Sequence, residues 1–148
     1  MGTCLELMVN TIFRVHMNVV DLIHSNFFLK KIFPDGLSKF VYVGQFGLDV
    51  AGTFSMNIHT RQKPALEIPK WGIHGQSYDV IVIRLLGSGA RNISIENWIN
   101  ADFAFFDFSK EGEDIRINAC GADWAFDVTV GSLGFQGCST YIDGGIDE

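Results

Sequence analysis

Apolar and polar residues alternate along most of the chain after residue 39, and a period of two is typical of strands with one buried face. In the stretch 52–60, for example, Phe54, Met56 and Ile58 share one face and polar residues stand between them. Short connectors containing glycine separate most of the alternating stretches, and they are typical of tight turns. The predicted strands are 39–50, 52–60, 78–86, 91–98, 102–109, 113–120, 123–130 and 132–142.

One stretch before these strands has helical spacing instead. Residues 17–33 carry apolar residues at helical intervals, and Pro34-Asp35-Gly36 ends the pattern. The fold class is therefore predicted to be α+β, mainly an antiparallel meander of about eight strands with one packed N-terminal helix. The apolar helix positions are Val20, Ile23, Phe27 and Ile32.

The length of 148 residues is that of one domain. We expect residues 17–148 to form it and residues 1–16 to be an N-terminal extension outside the core. A strand at 9–16 is the alternative interpretation of that segment.

A segment with two prolines, 63–79 (KPALEIPKWGIHGQSYD), interrupts the alternation and is called the strap below. Pro64 and Pro69 favour extended backbone, which indicates an ordered crossing at one end of the sheet. Connections of this length in compact domains are usually functional or disordered. Trp71 either closes the open edge of the core or anchors a partner, and His74 is expected at the rim.

The net charge of −6 argues against direct nucleic-acid binding, because phosphate contacts need a basic surface. Residues 1–91 contain nine Lys and Arg and six Asp and Glu, whereas residues 92–148 contain two and eleven. The negative charge therefore belongs to the C-terminal third of the chain.

The acidic residues of this third lie on consecutive predicted strands and turns, so a meander would place them side by side. Two interpretations stay open: a solvated surface that keeps the domain soluble, or a docking surface for a basic protein. Asp107 shares its strand face with Phe103 and Phe105, which predicts that it lies at an interior edge or strand end. The candidate partner-binding residues are Trp71, His74, Asp102, Glu111, Glu113, Asp114, Asp123 and Asp127.

No spacing typical of a catalytic or metal site is found in the sequence. His59, His74 and Asp79 lie in or near the strap, but the motifs HxH, HxxxH, HExxH and GxSxG are absent. The glycine-rich connector 87–91 is predicted to be a hairpin turn, and since it opens no helix it cannot cradle a phosphate. We therefore expect no catalytic residues, no metal and no cofactor.

The cysteines Cys4, Cys120 and Cys138 are odd in number and lack CxxC spacing. We expect reduced, buried thiols in a cytoplasmic protein, with a Cys120–Cys138 pair as the alternative. No stretch approaches 18 consecutive apolar residues, and the N-terminus has no secretion-signal pattern, so no membrane association is expected.

Several short motifs follow the predicted helix and the first two strands. They are IPKWGIHGQSYDV (68–80), VIVIRLLG (80–87), ENW (96–98) and CSTYI (138–142). In this order they resemble the small immunity proteins of bacterial polymorphic toxin systems, in particular the family catalogued as immunity protein 50. The likeness covers roughly residues 17–142; Pro69-Lys70-Trp71 carries most of it, and Ser139-Thr140-Tyr141 agrees.

The resemblance implies a non-catalytic cytoplasmic protein that binds and blocks a cognate toxin domain. The acidic C-terminal third suggests a basic toxin such as a nuclease. One alternative is a ligand-binding domain that uses His59, His74 and Asp79 beneath the strap. The other is a module that self-associates through a sheet edge. We expect a monomer or a weak homodimer.

Overall fold

The computed structural model describes residues 15–143, which form two β-sheets around one hydrophobic core. In chain order the strands are β1 (Val15–His16), β2 (Ile23–His24), β3 (Phe40–Leu48), β4 (Phe54–Thr60), β5 (Val80–Ser88), β6 (Arg91–Glu96), β7 (Ala104–Phe105), β8 (Asp107–Glu111), β9 (Asp114–Cys120), β10 (Ala125–Val130) and β11 (Ser132–Tyr141). Short 3-10 turns lie at Val50–Gly52, Pro69–Trp71 and Trp98–Asn100.

The six-stranded sheet has the order β2-β11-β5-β4-β3-β7, and the five-stranded sheet has the order β1-β8-β9-β10-β6. All pairs are antiparallel except β2 with β11. The β-rich α+β class is thus confirmed. The eight predicted strands all exist, but the stretch 102–109 is divided into β7 and β8, and two further strands of two residues each precede them.

Two short helices, α1 (Val19–Leu22) and α2 (Phe27–Ile32), replace the single helix expected over 17–33. The helical path is broken at β2, which pairs with Leu133–Gly134 of β11. Ser25 then reverses the chain with a φ of 60°, in the left-handed region that no α-helix contains. No helix in residues 15–143 has the length and apolar character needed to span a membrane.

The apolar helical spacing identified most of the buried positions despite this break. Val20, Ile23 and Ile32 are buried as expected. Phe27 is 81% exposed, because the break rotates the second helix relative to the first and places Leu29 in the core instead.

The expected N-terminal extension is described only at its end. Val15–His16 form β1 and pair with Ser109 and Lys110 of β8. The rest of the segment 1–16, and with it most of the alternative strand 9–16, lies outside the described residues.

The two sheets are connected by a pair of strands that bends as one unit. β5 continues into β6 through Gly89 and Ala90, and β10 continues into β11 through Gly131. β5 pairs with β11 in one sheet, whereas β6 pairs with β10 in the other. At the bend, the Gly131 nitrogen donates to the Ser88 carbonyl oxygen at 2.8 Å.

This bend corrects the expectation of one meander, since consecutive hairpins occur only in β3-β4-β5 and β8-β9-β10. The connector 87–91 is a corner between sheets and not a hairpin turn. The reason is that β6 takes its hydrogen bonds from β10, which is distant in sequence.

The core contains the inward faces of both sheets together with the helices. Leu29, Val41, Ile58, Ile83 and Phe126 belong to one cluster and are fully buried. Burial of this kind is the main favourable term in folding, at roughly 25 cal/mol per Å² of apolar surface.

Replacing Gly89 by Ala tests the corner. A Cβ at this position would lie 3.0 Å from the Gly131 nitrogen, and the backbone there has a φ of +71°. Gly112, in the β8–β9 turn, has a similar φ of +66° but open space around its Cβ position. Gly112→Ala should therefore cost only the left-handed backbone penalty of about 1–2 kcal/mol.

We expect Gly89→Ala to lower the free energy of unfolding by about 1–2 kcal/mol more than Gly112→Ala, because of the added crowding. Urea denaturation of both variants measures the difference. Equal losses would mean that the corner accommodates a side chain and that the close approach of the glycines is not a constraint.

Candidate functional site

The strand alternation of the six-stranded sheet places a set of aromatic side chains on its outer face. In β3, Val41 and Val43 point into the core, so Phe40 and Tyr42 point away from it. In β4, Ile58 is buried and its neighbour His59 lies on the outer face opposite Tyr42. The local folding pattern therefore produces an outward aromatic side chain at each of these positions.

The strand β7 adds further rings at the sheet edge. Phe105 pairs with Phe40, and their ring centroids are 5.3 Å apart. The ring of Phe103 lies 6.0 Å from Phe40 and 5.7 Å from Tyr42. These separations are within the range of favourable aromatic pairs.

The ring contacts continue across the sheet to its last strand. His59 lies 5.2 Å from the ring of Tyr42 and 5.6 Å from the ring of Tyr141 at the end of β11. The result is one connected series of six rings, called the aromatic row below. Its members are Phe105, Phe40, Phe103, Tyr42, His59 and Tyr141.

The aromatic row is open to solvent over much of its length. Phe105 is 73% exposed, Phe40 is 42% exposed and Tyr141 is 36% exposed. Ile142, which follows Tyr141, is also exposed. Single exposed apolar residues are ordinary on protein surfaces, but a contiguous set of large apolar side chains marks an interaction site.

Charged groups surround the Tyr141 end of the row. The Arg61 guanidinium lies 3.9 Å from the ring centroid of Phe103, and its Nη2 donates to Asp143 Oδ2 at 2.6 Å. The Asp143 backbone nitrogen donates to Asp79 Oδ1 at 2.6 Å. The arginine is therefore held both by a ring face and by a carboxylate, which fixes its orientation.

His59 is tightly enclosed in the middle of this arrangement. Its Nδ1 and the Tyr141 hydroxyl are 2.9 Å apart, and its ring fills the space where Gly44 would carry a Cβ. Burial lowers the pKa of His59, so the imidazole is neutral at neutral pH. Burial, followed by the charge of Asp143, raises the pKa of the Tyr141 hydroxyl.

The predicted acidic candidates lie elsewhere, on the five-stranded sheet, and several are ion-paired. Arg116 donates from Nε and Nη2 to the two carboxylate oxygens of Asp127, at 2.9 and 2.8 Å, and its Nη1 lies 3.7 Å from Glu111. Asp114 forms an ion pair with Arg91. Arginines therefore interrupt the expected continuous negative field, and its role as a docking surface stays a prediction.

The remaining acidic candidates are also far apart. Glu113 lies in the turn between β8 and β9. Asp123 lies beyond the other end of β9, where it accepts from Asn100 Nδ2 at 3.0 Å. Seven residues of strand separate these ends by roughly 20 Å. Of the acidic candidates, only Asp102 adjoins the aromatic row, where its Oδ1 accepts from the backbone nitrogen of Phe103.

Asp107 lies at a strand end, as one of the two predicted alternatives has it, since it is the first residue of β8, and it shares its parity with Phe103 and Phe105. The core side of this stretch is occupied by Phe106 and Phe108, which are 1% and 2% exposed. Asp107 therefore lies on the opposite side, in ion pairs with His16 and Lys39 at 2.8 and 3.7 Å.

The strap is an ordered crossing whose tryptophan faces the core. The ring of Trp71 is half-buried and packs edge-on against Phe28 of α2 at 5.8 Å and against Tyr78 at 5.9 Å. The backbone nitrogen of Ala65 donates to the Ile32 carbonyl oxygen at 2.8 Å. This packing favours the interpretation that Trp71 closes the core.

The strap histidine lies close to the polar end of the aromatic row. His74 Nε2 is 3.2 Å from the Arg61 carbonyl oxygen, and its ring contacts Tyr78. His74 thus contacts the Arg61 backbone, and Asp79 is linked to the Arg61 side chain through Asp143. The contacts of His59 are instead with Tyr42 and Tyr141. Among residues 15–143, however, no three His, Cys, Asp or Glu side chains are arranged to hold a metal ion.

A cavity of about 370 Å³ lies away from both the strap and the aromatic row. It is lined by α1, α2 and the turn after α2, including Asn18, Asp21, Lys30 and Asp35. Asn18 is already engaged there, since its side chain accepts from Val20 N and Leu37 N. The proposed ligand pocket beneath the strap does not coincide with this cavity.

The alternative Cys120–Cys138 pair does not form. Cys138 is a free, half-buried thiol, and burial raises its pKa to about 12.

Sequence reasoning identified His74, Asp79 and Asp102 near the site but missed most of the aromatic row. The sequence did contain one signal: aromatic residues occupy both sets of alternating positions in the stretch 103–108. Phe103 and Phe105 stand on one parity and Phe106 and Phe108 on the other, and only one set fits inside the core.

Comparison of the chain with protein-family models, with curated proteins and with solved structures yields no match. The case for a functional site therefore depends on the geometry of the aromatic row and its charged surroundings.

The pKa of His59 predicts a specific loss of stability in acid. Because burial lowers this pKa below 6.5 in the folded state, the unfolded chain takes up the proton at a higher pH. The stability that the neutral imidazole contributes is fully present above pH 6.5. It is lost as the pH falls below 6.5 toward the folded-state pKa. Urea unfolding between about pH 7.5 and pH 5.5 should show a larger loss for the wild type than for His59→Gln. Parallel losses in the two proteins would contradict the enclosed, neutral imidazole.

Truncation of Trp71 should affect stability in proportion to its partial burial. We expect Trp71→Ala to cost about 2–3 kcal/mol, less than the 3–5 kcal/mol typical of a fully buried aromatic residue. Chemical unfolding measures this loss. A cost below about 1 kcal/mol would show that the ring does not close the core.

Proposed function

We propose that this protein is a non-catalytic binding protein that docks a partner protein through the aromatic row. The observation that carries the proposal is the connected series of six rings on the outer face of a hydrogen-bonded sheet, whose two ends are exposed to solvent. Tyr and Arg are enriched among the residues that dominate the binding energy of protein interfaces, and Phe is enriched at interfaces generally.

The rigidity of the site supports a role in tight recognition. Tyr42 and His59 lie on paired strands, and Arg61 is held between Phe103 and Asp143. Side chains that are already ordered lose little conformational entropy on binding, so more of the contact energy appears as affinity. A partner would thus meet a largely preformed surface.

The polar groups in and beside the row are hydrogen-bonded within the chain. His59 bonds to Tyr141, and Asp79 accepts the backbone N–H of Asp143. These hydrogen bonds orient the rings, and we propose no reaction for the groups that form them.

The resemblance to immunity proteins suggests the identity of the partner. We propose that it is a cognate bacterial toxin domain, which the protein neutralises by one-to-one binding. The aromatic row would then cover part of the toxin surface, and the acidic candidates on the five-stranded sheet would serve mainly in internal ion pairs.

Substitution of row residues tests this proposal. We expect Phe105→Ala and Tyr42→Ala each to weaken binding of the toxin domain encoded beside this gene by about 2 kcal/mol, or roughly 30-fold. Isothermal titration calorimetry measures the change. Phe27→Ala is the matched control, since Phe27 is even more exposed but lies on α2, and its affinity should stay at the wild-type value.

Unchanged affinity in both row variants would contradict docking through the row. Sedimentation velocity of the free protein separates this function from self-association. A dimer that dissociates on Phe105→Ala would assign the row to a second copy of the chain.

A further inference from the structure

The charges around the aromatic row are predominantly negative. Among residues 15–143, two cations lie beside the row, and both are already ion-paired within the chain. Arg61 pairs with Asp143, and Lys39 pairs with Asp107. The next cation on this face is Arg84, which packs against Gly137 farther along β5. Four carboxylates adjoin the same region, namely Asp79, Asp102, Asp107 and Asp143.

Two of these carboxylates have no ion pair among residues 15–143. Asp79 accepts the backbone N–H of Asp143 at the Tyr141 end of the row. Asp102 accepts the backbone N–H of Phe103 beside the middle of the row. Both therefore place a carboxyl group beside the row that no cation of residues 15–143 pairs with. Burial is the main cause of the raised pKa of Tyr141, and Asp143 and Asp79 raise it further while Arg61 lowers it.

The row already binds one cation of the chain itself. The Arg61 guanidinium lies over the face of Phe103, 3.9 Å from its centroid. Ring faces carry negative electrostatic potential, so a guanidinium or ammonium group is attracted to them. The more exposed rings of Phe40 and Phe105 offer faces of the same kind.

We infer that the aromatic row receives two cationic side chains of the partner, arginine or lysine, one stacked on the rings of Phe40 and Phe105 near Asp102 and the other at the Tyr141 end of the row, paired with Asp79. This inference rests on the proposed function and deepens it by specifying the chemistry of the partner surface. It places the negative charge that recognises a basic partner on the six-stranded sheet, and not on the acidic hairpins of the other sheet.

Matched peptides test the inference without knowledge of the partner. The probes are the acetylated and amidated pentapeptide Gly-Arg-Gly-Arg-Gly and the same peptide with citrulline, which has the shape of arginine but no charge. Titration of the full chain is followed by NMR up to about 10 mM peptide. We expect saturable shifts at Phe40, Tyr42 and Phe105, and an affinity about 5-fold higher for the arginine peptide.

Charge removal from the two carboxylates provides the second measurement. The double variant Asp79→Asn/Asp102→Asn keeps the acceptor oxygens and should lower the affinity for the arginine peptide to that for the citrulline peptide. The control is Asp49→Asn/Glu113→Gln, which removes the same charge away from the row. Asp49 suits this purpose because it also accepts the N–H of the next residue, Val50. The control variant should bind as the wild type does.

Equal binding of the two peptides, or no shift in the row at the highest concentration, would overturn the inference. The toxin domain distinguishes the two proposals. If Phe105→Ala weakens toxin binding but Asp79→Asn/Asp102→Asn does not, docking through the row stands and the cationic partner surface is wrong. If Phe105→Ala and Tyr42→Ala both leave toxin binding unchanged, the proposed function itself is wrong.

Discussion

The close approach of Gly89 and Gly131 is the constraint on which the two-sheet arrangement depends. Both strands of the ribbon formed by β5–β6 and β10–β11 pass through this corner, and a side chain at Gly89 would meet the Gly131 backbone. Because the strands bend without losing their pairing, each sheet receives one half of the same ribbon. The inward faces of the two halves then meet in one core, with Ile83 on one side and Phe126 on the other.

This arrangement determines which side chains remain outside. A core between two sheets takes side chains from only one face of each strand. In β3 and β4 these side chains are Val41, Val43 and Ile58. The aromatic residues on the other face of these strands point away from the core, so they lie together on the outer face of the sheet. Register then aligns them, since Tyr42 lies opposite His59 and Phe40 opposite Phe105. The aromatic row is thus a consequence of the same pairing that builds the core, and its position is as rigid as the sheet.

Features that depend on neighbouring residues could be predicted from the sequence, and features that depend on distant pairing could not. Alternation located every long strand, because the period of two reflects burial of a local face. The broken helix escaped prediction, since the parallel pairing of Ile23 with Leu133 competes with helical propensity. The ion pairs within the acidic set could not be predicted for a similar reason: the register of β9 and β10 places Arg116 beside Asp127, and no local pattern reveals that register.

The central claim is that the partner is bound by the aromatic row on the six-stranded sheet. Hydrogen–deuterium exchange of the protein, free and in complex with the toxin domain, tests it most directly, because both sheets are observed in one measurement. The account predicts new protection in the segments 40–42, 59–61, 103–105 and 141–143, with little change in the β8–β9 hairpin. Protection confined to that hairpin, around Glu111, Glu113 and Asp114, would contradict the account and return the interface to the five-stranded sheet.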